Sequence, residues 1–140
     1  MKFAFLSLVV CFFLFSCKKH TQDAGLYWPC DIIEDSAAIS SQIIGSWKWA
    51  KYSCATDKII VADKDTKVVF NSDGTFILQG NSTAIAEGNW HLKRIDISGW
   101  GLDLTSPTDY LKGYTIFCEN QVAFIDSYED GCNYYFAKTN

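Results

Sequence analysis

Phe70-Asn71-Ser72-Asp73-Gly74-Thr75-Phe76 is the stretch whose reading decides the fold. Asp73-Gly74 is a tight-hairpin signal, because glycine takes positive φ at almost no cost. Apolar residues alternate on both sides of it. Val68 and Phe70 point to one side, and Phe76 and Leu78 take the same side on the partner strand. Two antiparallel strands, 66–71 and 75–80, follow from that pattern. Working outward, segments 46–53, 84–91, 93–97, 111–118, 121–127 and 133–138 are also rich in aromatic and β-branched residues, and 58–62 offers a short ninth strand. Gly80-Asn81-Ser82, Ser98-Gly99, Glu119-Asn120 and Glu129-Asp130-Gly131 supply the turns. No helical period separates the strands, so the sheet is expected to be antiparallel and meandering. Eight or so short strands must bury one face and hide two edges, and closure does both. The expected fold is therefore all-β, an antiparallel up-and-down eight-stranded barrel. Aromatic residues make up 16% of the chain, enough to fill such a barrel with side chains.

Ahead of the strands, Ile32, Ile33, Ala37, Ile39, Ile43 and Ile44 recur at loosely helical spacing. Asp31 and Ser36 are available as caps, so a short N-terminal helix or coil is expected there.

The first residues read as an address. Lys2 precedes an apolar run from Phe3 to Phe15, ending in Leu14-Phe15-Ser16-Cys17. A positive start, a short apolar segment and a small residue before the cut are the parts of a secretion signal. The run is shorter than the roughly 20 apolar residues a membrane-spanning helix needs. Leu14 and Ser16 ahead of Cys17 resemble the lipobox of bacterial lipoproteins, although Phe15 departs from the small or β-branched residue usual there. The resemblance implies a signal peptide over 1–16, a lipidated Cys17, a tether over 17–29 and a folded domain over 30–140. It also implies an envelope location, and Lys18 after the cysteine favours the outer membrane.

Removing 1–16 leaves 124 residues, a size that suits one domain. The mature chain carries 11 basic and 16 acidic side chains, which argues against a nucleic-acid partner. Four cysteines remain in the domain: Cys30, Cys54, Cys118 and Cys132. In an exported chain they read as two disulfides. None of them shows the close Cys-x2–4-Cys spacing of a zinc site, and His20 and His91 lie far apart, so no metal is expected. Spacing alone allows three pairings. Barrel closure narrows them, because the last strand then runs antiparallel beside the first. Cys132 would meet Cys54 at one rim, and Cys30 would meet Cys118 at the other.

Gly45-Ser46-Trp47 at the start of the first strand resembles the Gly-x-Trp signature of lipocalins and calycins. Phe70 to Phe76 and Gly88-Asn89-Trp90 resemble motifs of the small lipocalin-like domains of bacterial lipoproteins. The resemblance spans roughly residues 44 to 138. It implies a structural role for Gly45 and Trp47, with Trp47 closing one barrel end under a basic residue of the last strand. Lys138 stands there instead of the usual Arg. It further implies a small apolar or amphipathic ligand inside the barrel, with Trp49, Phe70, Phe76, Leu78 and Trp90 as candidate lining residues. The alternative is a protein-interaction module with a filled barrel, using Trp100 and Tyr110, with an envelope protein as partner. Trp100 between Gly99 and Gly101 reads as a loop tip. An enzyme is not expected: His91 has no recognisable nucleophile, and Asp96, Asp103, Asp109, Asp126, Glu129 and Asp130 are scattered. No phosphate loop or Cys-x-x-Cys pair points to a cofactor.

Overall fold

The computed structural model describes residues 30, 33–54, 58–97, 99–118 and 120–139. The expected signal peptide, lipidated Cys17, tether and Asp31 cap lie outside the described residues. Helix α1 (Ser36–Ile43) is followed by β1 (Gly45–Ser53), β2 (Ile59–Val61), β3 (Thr66–Phe70), β4 (Thr75–Gly80) and β5 (Thr83–Arg94). Then come β6 (Trp100–Leu104), β7 (Tyr114–Cys118), β8 (Gln121–Ile125) and β9 (Asn133–Thr139).

All neighbouring strands are antiparallel, and β1 and β9 close the sheet from Ser46↔Thr139 to Ser53↔Asn133. Eight strands, β1 and β3 to β9, make the barrel. The short β2 shares one edge of β1 with β3: β3 pairs with Gly45 to Lys48 and β2 with Lys51 to Ser53. The deciding hairpin forms as its sequence demands. Gly74 has φ 84°, and Asp73 Oδ1 accepts from Thr75 N (2.9 Å) and Thr75 Oγ1 (2.7 Å). Those bonds hold the Asp73 carboxyl below its ordinary range.

Several expected boundaries are corrected. Segments 84–91 and 93–97 merge into one strand, β5, which ends at Arg94 and leaves 95–97 outside it; Leu92 continues the alternation of Trp90 and no turn residue interrupts it. Its length reflects two neighbours: residues 83–89 pair with β4 and 90–94 with β6. Trp100 begins β6 and is not a loop tip. Its Nε1 donates to Glu34 O (2.9 Å), Arg94 lies 5.1 Å from its ring, and the turn before it is held by Arg94 donating to Asp96 O and Ile97 O. Strand β7 starts at Tyr114, since Asp109–Leu111 forms a 3-10 turn, and β8 ends at Ile125 before another over Ser127–Glu129. Ser36 is the first residue of α1; the cap is Asp35, whose Oδ1 accepts from Ala37 N at 2.9 Å.

The two ends of the barrel are closed differently. At one end α1 buries Ile39 and Ile43, and Trp47 Nε1 donates to Ile43 O at 2.7 Å. Lys138 Nζ sits 5.1 Å from the centre of the Trp47 ring, and Trp47 is 2% exposed. Cys30–Cys118 is at this end, and Cys54–Cys132 joins β1 to β9 at the other. These are the pairs that closure brings together. At that second end Tyr110 and Leu111, on the 3-10 turn between β6 and β7, cover the opening, with Tyr110 edge-on to Trp49 at 5.3 Å.

Candidate binding cleft

Strands β6 and β7 meet at a single register pair, Gly101↔Tyr114. A Cβ at Gly101 would lie 2.6 Å from Gly113 O, so the close approach depends on glycine there. Beyond that point the strands part. Leu102 to Leu104 stay paired with β5, and Thr105 is still held to it, its N donating to Asn89 O (3.1 Å) and its Oγ1 accepting from Asn89 N (2.8 Å). The chain then crosses the barrel end and returns through Leu111, which is 1% exposed.

The parting leaves a cleft of about 460 Å³ in the barrel wall. Ile95, Leu102, Leu104 and Leu111 supply its apolar surface, with Pro107 and Thr108 on the crossing segment. The exposed Lys93, Arg94, Asp103, Lys112 and Glu129 form its charged lip, and Tyr128 and the buried Asp126 complete the lining. Such a volume lies in the range of small-molecule sites, roughly 300–1,000 Å³.

The five candidate lining residues lie elsewhere. Trp49, Phe70, Phe76, Leu78 and Trp90 are all buried inside the barrel, and none lines the cleft. Phe70 packs against Trp90 (5.7 Å), Phe76 (6.3 Å) and Phe124 (6.5 Å), and Phe124 against Phe136 (5.8 Å). Trp49 joins Tyr52, Tyr110 and Tyr134 at the far end. Burial there raises the Tyr134 hydroxyl pKa, with the neighbouring Tyr110 and Asp109 adding to it. Within each of these two groups the rings touch one another, as in a packed core.

Trp100 and Tyr110, expected on partner-facing loops, are half-buried and engaged within the domain. His91 Nε2 lies 2.9 Å from Asp103 Oδ2 on the outer wall, an exposed cross-strand pair between β5 and β6. Among the described residues no cluster of three or more His, Cys, Asp or Glu side chains has metal-binding geometry. None of their helices is long and apolar enough to cross a membrane.

Sequence reasoning passed over Asp126 as one of several scattered acids. A signal was present: Val122, Phe124 and Asp126 share one face by period two, and both apolar members are fully buried. Asp126 itself is 7% exposed. No protein-family model, curated protein or solved structure matches this chain.

Proposed function

We propose that the chain is a lipid-anchored envelope protein with a lipocalin-like barrel, and that it binds a small amphipathic ligand in the cleft between β6 and β7. The observation that carries this reading is the contrast between a ring-packed lumen and a 460 Å³ opening in the wall with an apolar floor and charged lip. The lumen would have to lose several aromatic contacts to admit a ligand; the cleft would not. Anchoring rests on the lipobox resemblance at Leu14 to Cys17, and the tether would keep the domain near the membrane surface.

The test uses a neutral apolar fluorophore, N-phenyl-1-naphthylamine. Leu104→Gln places an amide on the cleft floor and should abolish its binding, whereas Phe76→Leu enlarges the lumen and should leave binding unchanged. The opposite pattern would place the ligand inside the barrel.

A second reading, a protein-interaction module, draws on β2. Ile59, Ile60 and Val61 are 51%, 38% and 76% exposed on a strand with one neighbour. Val61→Lys would then reduce capture of an envelope partner without affecting the fluorophore.

A further inference from the structure

We infer that the cleft holds its ligand by an ammonium group seated on Asp126, with the apolar body lying on Leu102, Leu104 and Leu111. This rests on the cleft being the binding site. The main chain of Asp126 is fully used: its N–H donates to Asn133 Oδ1 (3.0 Å), and its carbonyl accepts from Glu129 N and Gly131 N. The carboxylate is not. Among the described residues no N–H or O–H donates to it, although the side chain is 9% exposed. Its charged neighbour, Lys112 Nζ, is 3.9 Å away, too far for a hydrogen bond, on a side chain that is 59% exposed. Gly131 leaves the carboxylate its room, because a Cβ there would collide with Asp126 Oδ2.

A buried carboxylate is unfavourable unless it is both paired and hydrogen-bonded. Lys112 provides charge at a distance and no bond. An incoming ammonium provides both, with N–H donors for the two oxygens. A hydroxyl would donate one bond and leave the charge standing. A carboxylate or phosphate head would be repelled. The other charges of the lining do not change this sign: Lys93, Lys112, Asp103 and Glu129 are exposed to water, Asp103 is paired with His91, and Arg94 is committed to Asp96 O, Ile97 O and the Trp100 ring. The group buried deepest decides, and it is an acid. Lys112 is then the ligand's competitor, free to swing toward water when the ammonium arrives.

Calorimetric titration of the protein with octylamine, octanol and octanoate decides it. Octylamine should bind tightest, by about tenfold over octanol, the effect of one charge-assisted hydrogen bond. Asp126→Asn should bring octylamine down to octanol. Lys112→Met should tighten octylamine, a gain that a merely destabilised protein would not show. If octanoate binds as well as octylamine, or Asp126→Asn keeps the preference, the Asp126 seat is wrong. Should Asp126→Asn fail to fold, absence of tightening in Lys112→Met overturns it equally. Equal binding of octylamine and octanol would keep the cleft and remove the seat, whereas no binding by any of the three would remove both.

Discussion

Replacing Trp47 by alanine should destabilise the domain by about 4–5 kcal/mol, toward the upper end of the range for a core aromatic. The ring is 2% exposed, lies 6.3 Å from Phe117 and carries Lys138 over its face at 5.1 Å. Its removal leaves a cavity where α1 meets the barrel. It also strips Ile43 O of its 2.7 Å donor inside the core, a loss of ~1–3 kcal/mol for an unsatisfied group. The cation–ring contact adds ~0.5–1 kcal/mol, but these contributions overlap at one site and do not sum. Trp47→Phe separates them. It keeps most of the ring and loses the indole N–H, so it should cost about 1–2 kcal/mol. Guanidinium unfolding followed by far-ultraviolet circular dichroism, with disulfides intact, gives both values, and an unchanged m-value confirms that the change is in stability. A loss below about 1 kcal/mol for Trp47→Ala would refute the structural role assigned to the Gly-x-Trp element.

Three further outcomes are expected. Cys54→Ser with Cys132→Ser opens a link spanning 78 residues and should lower stability by ~2–4 kcal/mol, the chain-entropy model giving about 4.5; unfolding of the double variant measures it. Tyr114 Oη donates to Asp96 Oδ2 at 2.6 Å, which, with burial and the Asp96 charge, pushes its pKa up to about 12. The folded state therefore holds this proton more tightly than the unfolded state. The resulting stability is present below about pH 10 and lost as pH rises toward 12, a decline that Tyr114→Phe should lack in a pH series of unfolding midpoints. Palmitate supplied to growing cells should label the protein, and Cys17→Ser should remove the label; persistent labelling would contradict anchoring at that cysteine.

What the sequence made legible was the part of the fold with local causes. Asp73-Gly74 and the alternation around it are local, and so are the apolar positions of α1. Closure followed from a need, hiding edges, and it carried the disulfide pairing with it. Strand β6 was not legible, because Gly99-Trp100-Gly101 has the composition of a turn. Its strand character comes from the five-pair ladder with β5, and its position is fixed by Glu34 O and Gly113, contacts that the composition of the segment does not reveal. The cleft was illegible for the same reason. It exists because β6 and β7 touch at Gly101 and then diverge, and divergence depends on where the crossing segment packs. Trp49, Phe70, Phe76, Leu78 and Trp90 are buried. Whether inward-facing rings enclose space or fill it depends on how they pack together, and Phe70, with three aromatic neighbours, fills it.

The location of a bound apolar molecule tests the account most directly. A photoactivatable alkylamine crosslinked to the folded protein, followed by peptide mapping, reports the residues it touches. Labelling is expected within 93–95, 102–113 and 126–129, the segments that line the cleft. Labelling concentrated on Trp49, Phe70, Phe76, Leu78 or Trp90 would place the ligand in the lumen and contradict it.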